Sequence, residues 1–222
     1  MTTWTDSTPA WRAVAEAAGI GPGGALLDVG CGTGGFCALA AARGAVVHGL
    51  DADPEAVERA RRRAPGADLR VGIMESLPWP DDRFDVVTGF NAFQYALDVD
   101  LALAEARRVL RPGGRIAICK WAPAERNELF ALLAALRGRA IPRAGDPVDA
   151  AVRRTALATQ TIGEAPVPIV MRDEAALRDA VTAAGAPPLA GERFPPPAAA
   201  PFRRPDGSYL FTNHFSYRVL RI

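Results

Sequence analysis

Apolar and polar positions follow two alternating rhythms over the first 120 residues. Short unbroken apolar runs, Ala25 to Val29 and Val46 to Leu50, read as buried strands. Each leads into a stretch with helical spacing. Gly34 to Arg43 carries Phe36, Leu39 and Ala40 on one side and stops at Gly44, and a second helix opens on Asp53 as N-cap and Pro54, ending before Pro65-Gly66. Leu69 to Gly72 gives a third strand, then an irregular stretch runs through Pro78, Pro80 and Asp81-Asp82 to a fourth, Phe84 to Phe90. Asp100 to Leu110 follows as a helix with Leu103, Ala106, Val109 and Leu110 on one face, and Arg111-Pro112-Gly113-Gly114 stops it before a strand at Arg115 to Lys120. Strands alternating with helices predict an α/β doubly wound, mostly parallel sheet with helices on both faces.

The rhythm changes beyond Trp121. Leu129 to Arg137 and Ala150 to Gln160 carry helical spacing with no strand between them, and Asp173 to Ala184 is a further helix stopping at Gly185. Two late strands are expected, at Leu189 to Phe194 and Phe215 to Leu220, on either side of a proline-rich segment from Pro195 to Pro205. The expected organisation is a single domain: an N-terminal helical segment over 1–24, a core over 25–120, a helical cap inserted at 122–165, and a C-terminal helix with two strands over 166–222.

The chemistry concentrates where the first strand ends. "LLDVGCGTGG", Leu26 to Gly35, removes side chains at alternate positions, so that a ligand can approach the main chain closely. Gly30, Gly32 and Gly35 satisfy the dinucleotide pattern GxGxxG, and Asp51 follows Gly30 by 21 residues, near the ~20 expected for a ribose-binding acid. That pattern alone leaves a nicotinamide-dependent oxidoreductase open. Asp28 decides between the readings: a carboxylate two residues before the first glycine repels a pyrophosphate and attracts a ligand carrying an ammonium and a sulfonium.

With those residues in place the chain resembles class I S-adenosylmethionine-dependent methyltransferases. The resemblance rests on LDVGCGTG at Leu27 to Gly34, on Asp51 in "GLDADPE", on "ESLPWPDDRFDVV" from Glu75 to Val87, and on "EARRVLRPGGRIAI" from Glu105 to Ile118. It implies a Rossmann-like sheet of seven strands with the last antiparallel. It also implies that the backbone of Gly30, Cys31, Gly32 and Gly34 walls the methionine part of the cofactor, with Asp28 near its amino group. Asp51 would take both ribose hydroxyls, since an ionised carboxylate offers two acceptor oxygens, and Ala52 would pack on the adenine. Many relatives carry an aspartate after the third strand that accepts from the adenine amine. Here that stretch is Gly72-Ile73-Met74-Glu75, so Met74 and Glu75 are the expected adenine contacts.

"NAFQYALD", Asn91 to Asp98, leaves the fourth strand toward the expected methyl position. Methyl transfer from a sulfonium is an in-line displacement that requires alignment and, for some acceptors, a base. Asn91 joins the cofactor set; Gln94, Tyr95 and His214 are the catalytic candidates, and Phe93 and Tyr95 are candidates for aromatic contact with the sulfonium. His48 is expected to be structural, and Lys120, the only lysine, to be solvated or ion-paired. Trp4 and Trp11 are candidates for closing the site or, for Trp11, for anchoring a helix.

Composition narrows the partners. The chain has 222 residues and a formal net charge of +1, without the basic excess of a nucleic-acid binder, and it lacks an NPPY-like tetrapeptide after the fourth strand. The three cysteines form no CxxC pair, there is no metal-ligand motif, and no secretory leader or membrane span is visible, so a cytoplasmic protein without a metal is expected. The substrate class expected is a small organic molecule, with S-adenosyl-L-methionine as cofactor; a cofactor-binding protein or cyclase of the same fold is the alternative.

Overall fold

The computed structural model describes residues 3–137, 146–155, 157–184 and 194–222, with the backbone alone at Thr3 and Trp4. The chain divides into two compact units. The larger comprises Trp11–Lys120, Ala144–Gly163 and Ser216–Ile222; the smaller comprises Met1–Ala10, Trp121–Arg143 and Glu164–Phe215.

In order along the chain, the strands are β1 (Thr3–Thr5), β2 (Ala25–Val29), β3 (Val46–Asp51), β4 (Asp68–Val71), β5 (Phe84–Phe90), β6 (Leu110–Trp121), β7 (Ala158–Met171) and β8 (Tyr209–Arg221). The helices are α1 (Thr8–Ala17), α2 (Gly35–Ala42), α3 (Pro54–Arg63), α4 (Val99–Arg108), α5 (Glu128–Leu136), α6 (Pro147–Arg154) and α7 (Glu174–Ala183).

In the larger unit the strands lie in the order β8-β6-β5-β2-β3-β4. The pairs β2/β3, β2/β5, β3/β4 and β5/β6 are parallel, as expected of strands joined through helices. β8 runs against β6: Ile222 N donates to the Gly114 carbonyl at 3.2 Å and Ala122 N to the His214 carbonyl at 2.9 Å, so one chain ascends as the other descends. Among these six strands β8, the last in sequence, is the one that is reversed. All five residues of β2 are buried, as in a strand covered on both faces. The apolar core of this unit gathers Leu27, Val29, Leu50, Phe84, Val87, Phe93, Leu103 and Ile116 around the sheet, with Val148 and Val152 of α6.

The expected caps are present. Asp53 accepts from Glu55 N at 2.8 Å and Pro54 occupies the first turn of α3. Asp98 caps α4, which therefore starts at Val99, one residue before the expected boundary.

In the smaller unit β1 pairs antiparallel with β7, Thr3 opposite Met171, in the order β1-β7-β8. Leu129 and Leu132 of α5, Leu177 and Val181 of α7, and Ile169, Met171, Tyr209 and Phe211 form its core.

Two expectations are overturned. β6 begins at Leu110, so Arg111 to Gly114, expected to separate a helix from a strand at Arg115, lie inside the strand. The helix expected over Ala150 to Gln160 ends at Arg154, and β7 begins at Ala158, so the stretch after Trp121 holds a strand and the helical cap is shorter than 122–165. Helical spacing through Ala151, Val152 and Thr155 ran straight into Thr159, Thr161 and Ile162, whose branched side chains favour a strand. Burial then alternates at Ala165, Val167, Ile169 and Met171, the period of a strand, although Pro166 and Pro168 argued against one. β8 starts at Tyr209, six residues earlier than expected. Gly185 and residues 189–193, where a helix stop and a strand were expected, lie outside the described residues, as does the side chain of Trp4.

Candidate functional site

A cleft of about 330 Å³ opens in the larger unit beyond the carboxyl ends of four neighbouring parallel strands. Gly30 follows β2, Asp51 and Ala52 end β3, Gly72 to Glu75 follow β4, and Asn91 to Leu97 follow β5. The strand order departs in both directions from β2, so this is the switch point at which open α/β sheets bind ligands.

The turn after β2 is built from bare backbone. Gly32 has φ +52°, and a Cβ placed on it would meet nothing within 4 Å, so the main chain there faces open space. Gly30 and Gly34 are glycine for internal reasons: a Cβ at Gly30 would lie 2.6 Å from the Ala92 side chain, and one at Gly34 would lie 2.8 Å from Cα and Cβ of Ala60 on α3. Cys31 is buried beside the turn and its N–H donates to the Leu50 carbonyl at 3.0 Å.

Asp51 ties this turn to β3. Its Oδ2 accepts from Gly32 N at 2.7 Å and its Oδ1 from Asp53 N at 3.0 Å, which fixes a half-buried carboxylate at the cleft wall. Each carboxylate oxygen has capacity for a second donor.

Asp28 lies outside the cleft lining, 2% exposed within β2. The Thr88 hydroxyl donates to its Oδ1 at 2.7 Å and the Cys37 thiol reaches its Oδ2 at 3.7 Å. Burial pushes its carboxyl up to about 7, and the charge of Asp51 adds to the rise; the two donors oppose it without prevailing. The Cys37 thiol is held well above the usual range, first by its contact with Cys31 and then by burial.

At the other wall, Glu75 Oε1 accepts from Leu97 N at 2.6 Å and Asp98 N at 3.4 Å, joining the segment after β4 to the segment after β5. Asn91 sits in the left-handed region at φ 49°, with its N–H on the Cys119 carbonyl and its Oδ1 accepting from Gln94 Nε2 at 3.4 Å. Tyr95 lines the cleft and is 76% exposed.

Of the expected site residues, the structure therefore gathers Gly30, Asp51, Ala52, Met74, Glu75, Asn91 and Tyr95 around one cleft, with Gln94 beside Asn91. Asp28, Cys31, Gly32 and Gly34 support or border the turn without lining the cleft. Phe93, a candidate aromatic contact, is core: it is buried and packs against Gly89. His214 belongs to the smaller unit, where its Nδ1 is 2.8 Å from the Arg126 carbonyl, an arrangement that places the proton on Nδ1. His48 is buried against Trp79 and Phe84, and burial and then Arg83 lower its pKa. Lys120 is ion-paired with Asp146 at 2.5 Å and Asp149 at 2.9 Å. Trp11 packs where a Cβ of Gly35 would stand and so anchors α1 on the start of α2.

Sequence reasoning missed Thr88 and Leu97, and saw Ile73 only as the absence of an acid. Thr88 is signalled by one hydroxyl inside the apolar run Phe84 to Phe90, whereas nothing in the sequence marks Leu97 as a wall of the cleft. Among the described residues no group of His, Cys, Asp and Glu side chains could hold a metal ion, and no helix is long and apolar enough to cross a membrane.

Comparison with known proteins bears on the same segment. Residues 27–118 match the family model of the methyltransferase domain. The malonyl-[acyl-carrier protein] O-methyltransferase of Serratia marcescens is 39% identical over 108 residues, 49% of this chain and 42% of that protein. The demethylmenaquinone methyltransferase of Thermus thermophilus is 38% identical over 104 residues, 44% of this chain and 47% of that protein. The chain spans less than half the length of these curated relatives. Among solved structures, the YcgJ protein of Bacillus subtilis superposes with a TM-score of 0.63 at 23% identity, over 96% of this chain and 97% of that one, a likeness of fold.

Proposed function

We propose that this chain, whose residues 27–118 match the family model of the methyltransferase domain, uses S-adenosylmethionine to methylate a small organic acceptor at the mouth of the cleft. The observation that carries the proposal is Asp51: a carboxylate at the tip of β3, locked by Gly32 N–H and Asp53 N–H, beside a turn of bare backbone.

The residues fit the cofactor. Asp51 has acceptor capacity for vicinal hydroxyls, Ala52 and Met74 offer apolar contact to a base, and the turn at Gly32 leaves room for a ligand against the main chain. Asp28 lies behind that turn, and a cationic ligand there would draw its proton off and hold it ionised. When bound, S-adenosylmethionine supplies a methyl group activated on a positively charged sulfur. The chain's own work is then alignment and exclusion of water. Asn91 and Gln94, already hydrogen-bonded to each other, present amide groups that can orient an acceptor, and Tyr95 offers a ring face. No His, Lys or Arg side chain lines the cleft among the described residues, and its carboxylates, Asp51 and Glu75, accept from backbone N–H groups, which favours an acceptor that needs alignment more than deprotonation.

The test has two parts. Isothermal titration with S-adenosylhomocysteine should show saturable binding that Asp51→Ala abolishes or weakens severely. Incubation with methyl-labelled cofactor and a fractionated metabolite extract should move label into a small product. Binding without any labelled product would favour the cyclase or binding-protein reading, and unchanged binding in Asp51→Ala would remove the ribose assignment.

A further inference from the structure

A second cavity, of about 80 Å³, lies in the larger unit and shares no lining residue with the cleft. Its floor is β6 and β8, where the register set by the Ile222–Gly114 and Ala122–His214 hydrogen bonds places Ile118 beside Arg218. Val148 and Val152, one turn apart on α6, form an apolar wall, and Ile162 of β7, 68% exposed, adds to it.

The polar groups around this cavity are unequally satisfied. Asp146 Oδ1 accepts from Val148 N at 2.8 Å and Asp149 N at 3.2 Å, and its Oδ2 meets Lys120 Nζ at 2.5 Å. Asp149 Oδ2 meets the same ammonium at 2.9 Å. Asp149 Oδ1 faces the Arg218 guanidinium at 3.8 Å, too far for a hydrogen bond, and among the described residues no other group pairs with that guanidinium. The Arg218 side chain is nevertheless only 30% exposed. A guanidinium carries a planar fork of N–H donors, and withdrawing such a charge from water with its donors unpaired is costly. Every carboxylate oxygen here already faces a donor, so what the cavity lacks is an acceptor for Arg218.

We propose that this cavity binds a small carboxylic acid, its carboxylate taken by the Arg218 fork and its hydrocarbon part lying against Val148, Val152 and Ile162. A planar carboxylate matches a guanidinium through two parallel hydrogen bonds. Asp149 stands beside the site with its charge shared between Lys120 and Arg218, so one negative charge is tolerated where a phosphate dianion is opposed. The volume accommodates roughly five to eight water-sized groups, the size of a short-chain acid such as butyrate. Binding here needs no S-adenosylmethionine and stands apart from the methyl-transfer reading.

The experiment follows backbone amide shifts of the nitrogen-15-labelled full chain during titration with butyrate, butyramide or inorganic phosphate at constant ionic strength. Amides of α6 and of Ser216 to Arg218 should move saturably with butyrate, with half-saturation on the order of 1 mM, the range open to so small a ligand. Butyramide, of the same shape without the charge, should bind at least ~10-fold more weakly, and so should phosphate. Arg218→Leu keeps an apolar stem and removes the fork, and should abolish the butyrate response. Arg218→Lys keeps the charge without the fork and should weaken binding by about 5–10-fold. The same spectra report whether each variant is folded, and the comparison of butyrate with butyramide needs no variant at all. No saturable shift with butyrate, butyramide or phosphate binding as tightly, or an unchanged response in either folded Arg218 variant would each overturn the proposal.

Discussion

Gly32 N–H donates to Asp51 Oδ2 at 2.7 Å, so the turn after β2 and the tip of β3 are held by one hydrogen bond to an ionisable group. Asp51→Ala removes that acceptor together with the proposed ribose contacts. Hydrogen bonds to a charged group contribute about 1.5–3 kcal/mol each, so affinity for S-adenosylhomocysteine should fall by about 100-fold or more. Asp51→Asn should lose less, since one acceptor oxygen survives. Titration calorimetry of the three proteins orders them.

Asp28 gives stability a pH dependence of defined sign. Its carboxyl, at 3.8 when unperturbed, rises to about 7 in the fold, so between those values the native state binds a proton that the unfolded chain has released. Stability from this group is therefore complete below about pH 4 and lost as pH rises to 7, by about 4 kcal/mol at ~1.4 kcal/mol per pH unit. Asp28→Asn keeps an acceptor for Thr88 and cannot ionise. The difference in melting temperature between the two ligand-free proteins should grow in favour of Asn from pH 5 to pH 8, and a flat difference would count against the buried proton.

Two glycines of one turn should separate stability from binding. Gly34→Ala forces a side chain at φ +76° to within 2.8 Å of Ala60, combining backbone strain with overpacking, and should cost about 2–4 kcal/mol. Gly32→Ala carries strain alone, about 1–2 kcal/mol, because nothing lies within 4 Å of the new methyl. It should nevertheless abolish cofactor binding by filling the open space. Urea unfolding and calorimetry on both variants give the cross-comparison.

Lys120 ties the end of β6 to the start of α6 through Asp146, which also caps that helix at Val148 N and Asp149 N. Lys120→Met should destabilise by about 1–2 kcal/mol at low salt, and most of that loss should persist in 1 M salt, because the pair is largely shielded from solvent. Thermal melts at two ionic strengths read this directly.

Legibility in the sequence followed the strength of local signals. β2, the glycine turn, β3 and the Asp53-Pro54 start of α3 were readable because apolar runs, glycines and a capping pair all agreed. β7 was misread because two prolines and a helical continuation masked its branched residues, and because its partners β1 and β8 lie far away in sequence. In the site, Asp51 and Gly30 were visible through spacing. Ile73 was noticed for what it lacks, an acid, and the presence of Leu97 at the same cleft goes with a Glu75 contact spanning 22 residues.

The 2.8 Å between an imagined Cβ on Gly34 and the Cα of Ala60 also binds two distant positions to a shared history. Neither can drift alone: a bulkier residue at 60 would press on the turn just as a methyl at 34 would. Lineages of this domain should therefore keep the pair small together, or else part α2 from α3 before either grows.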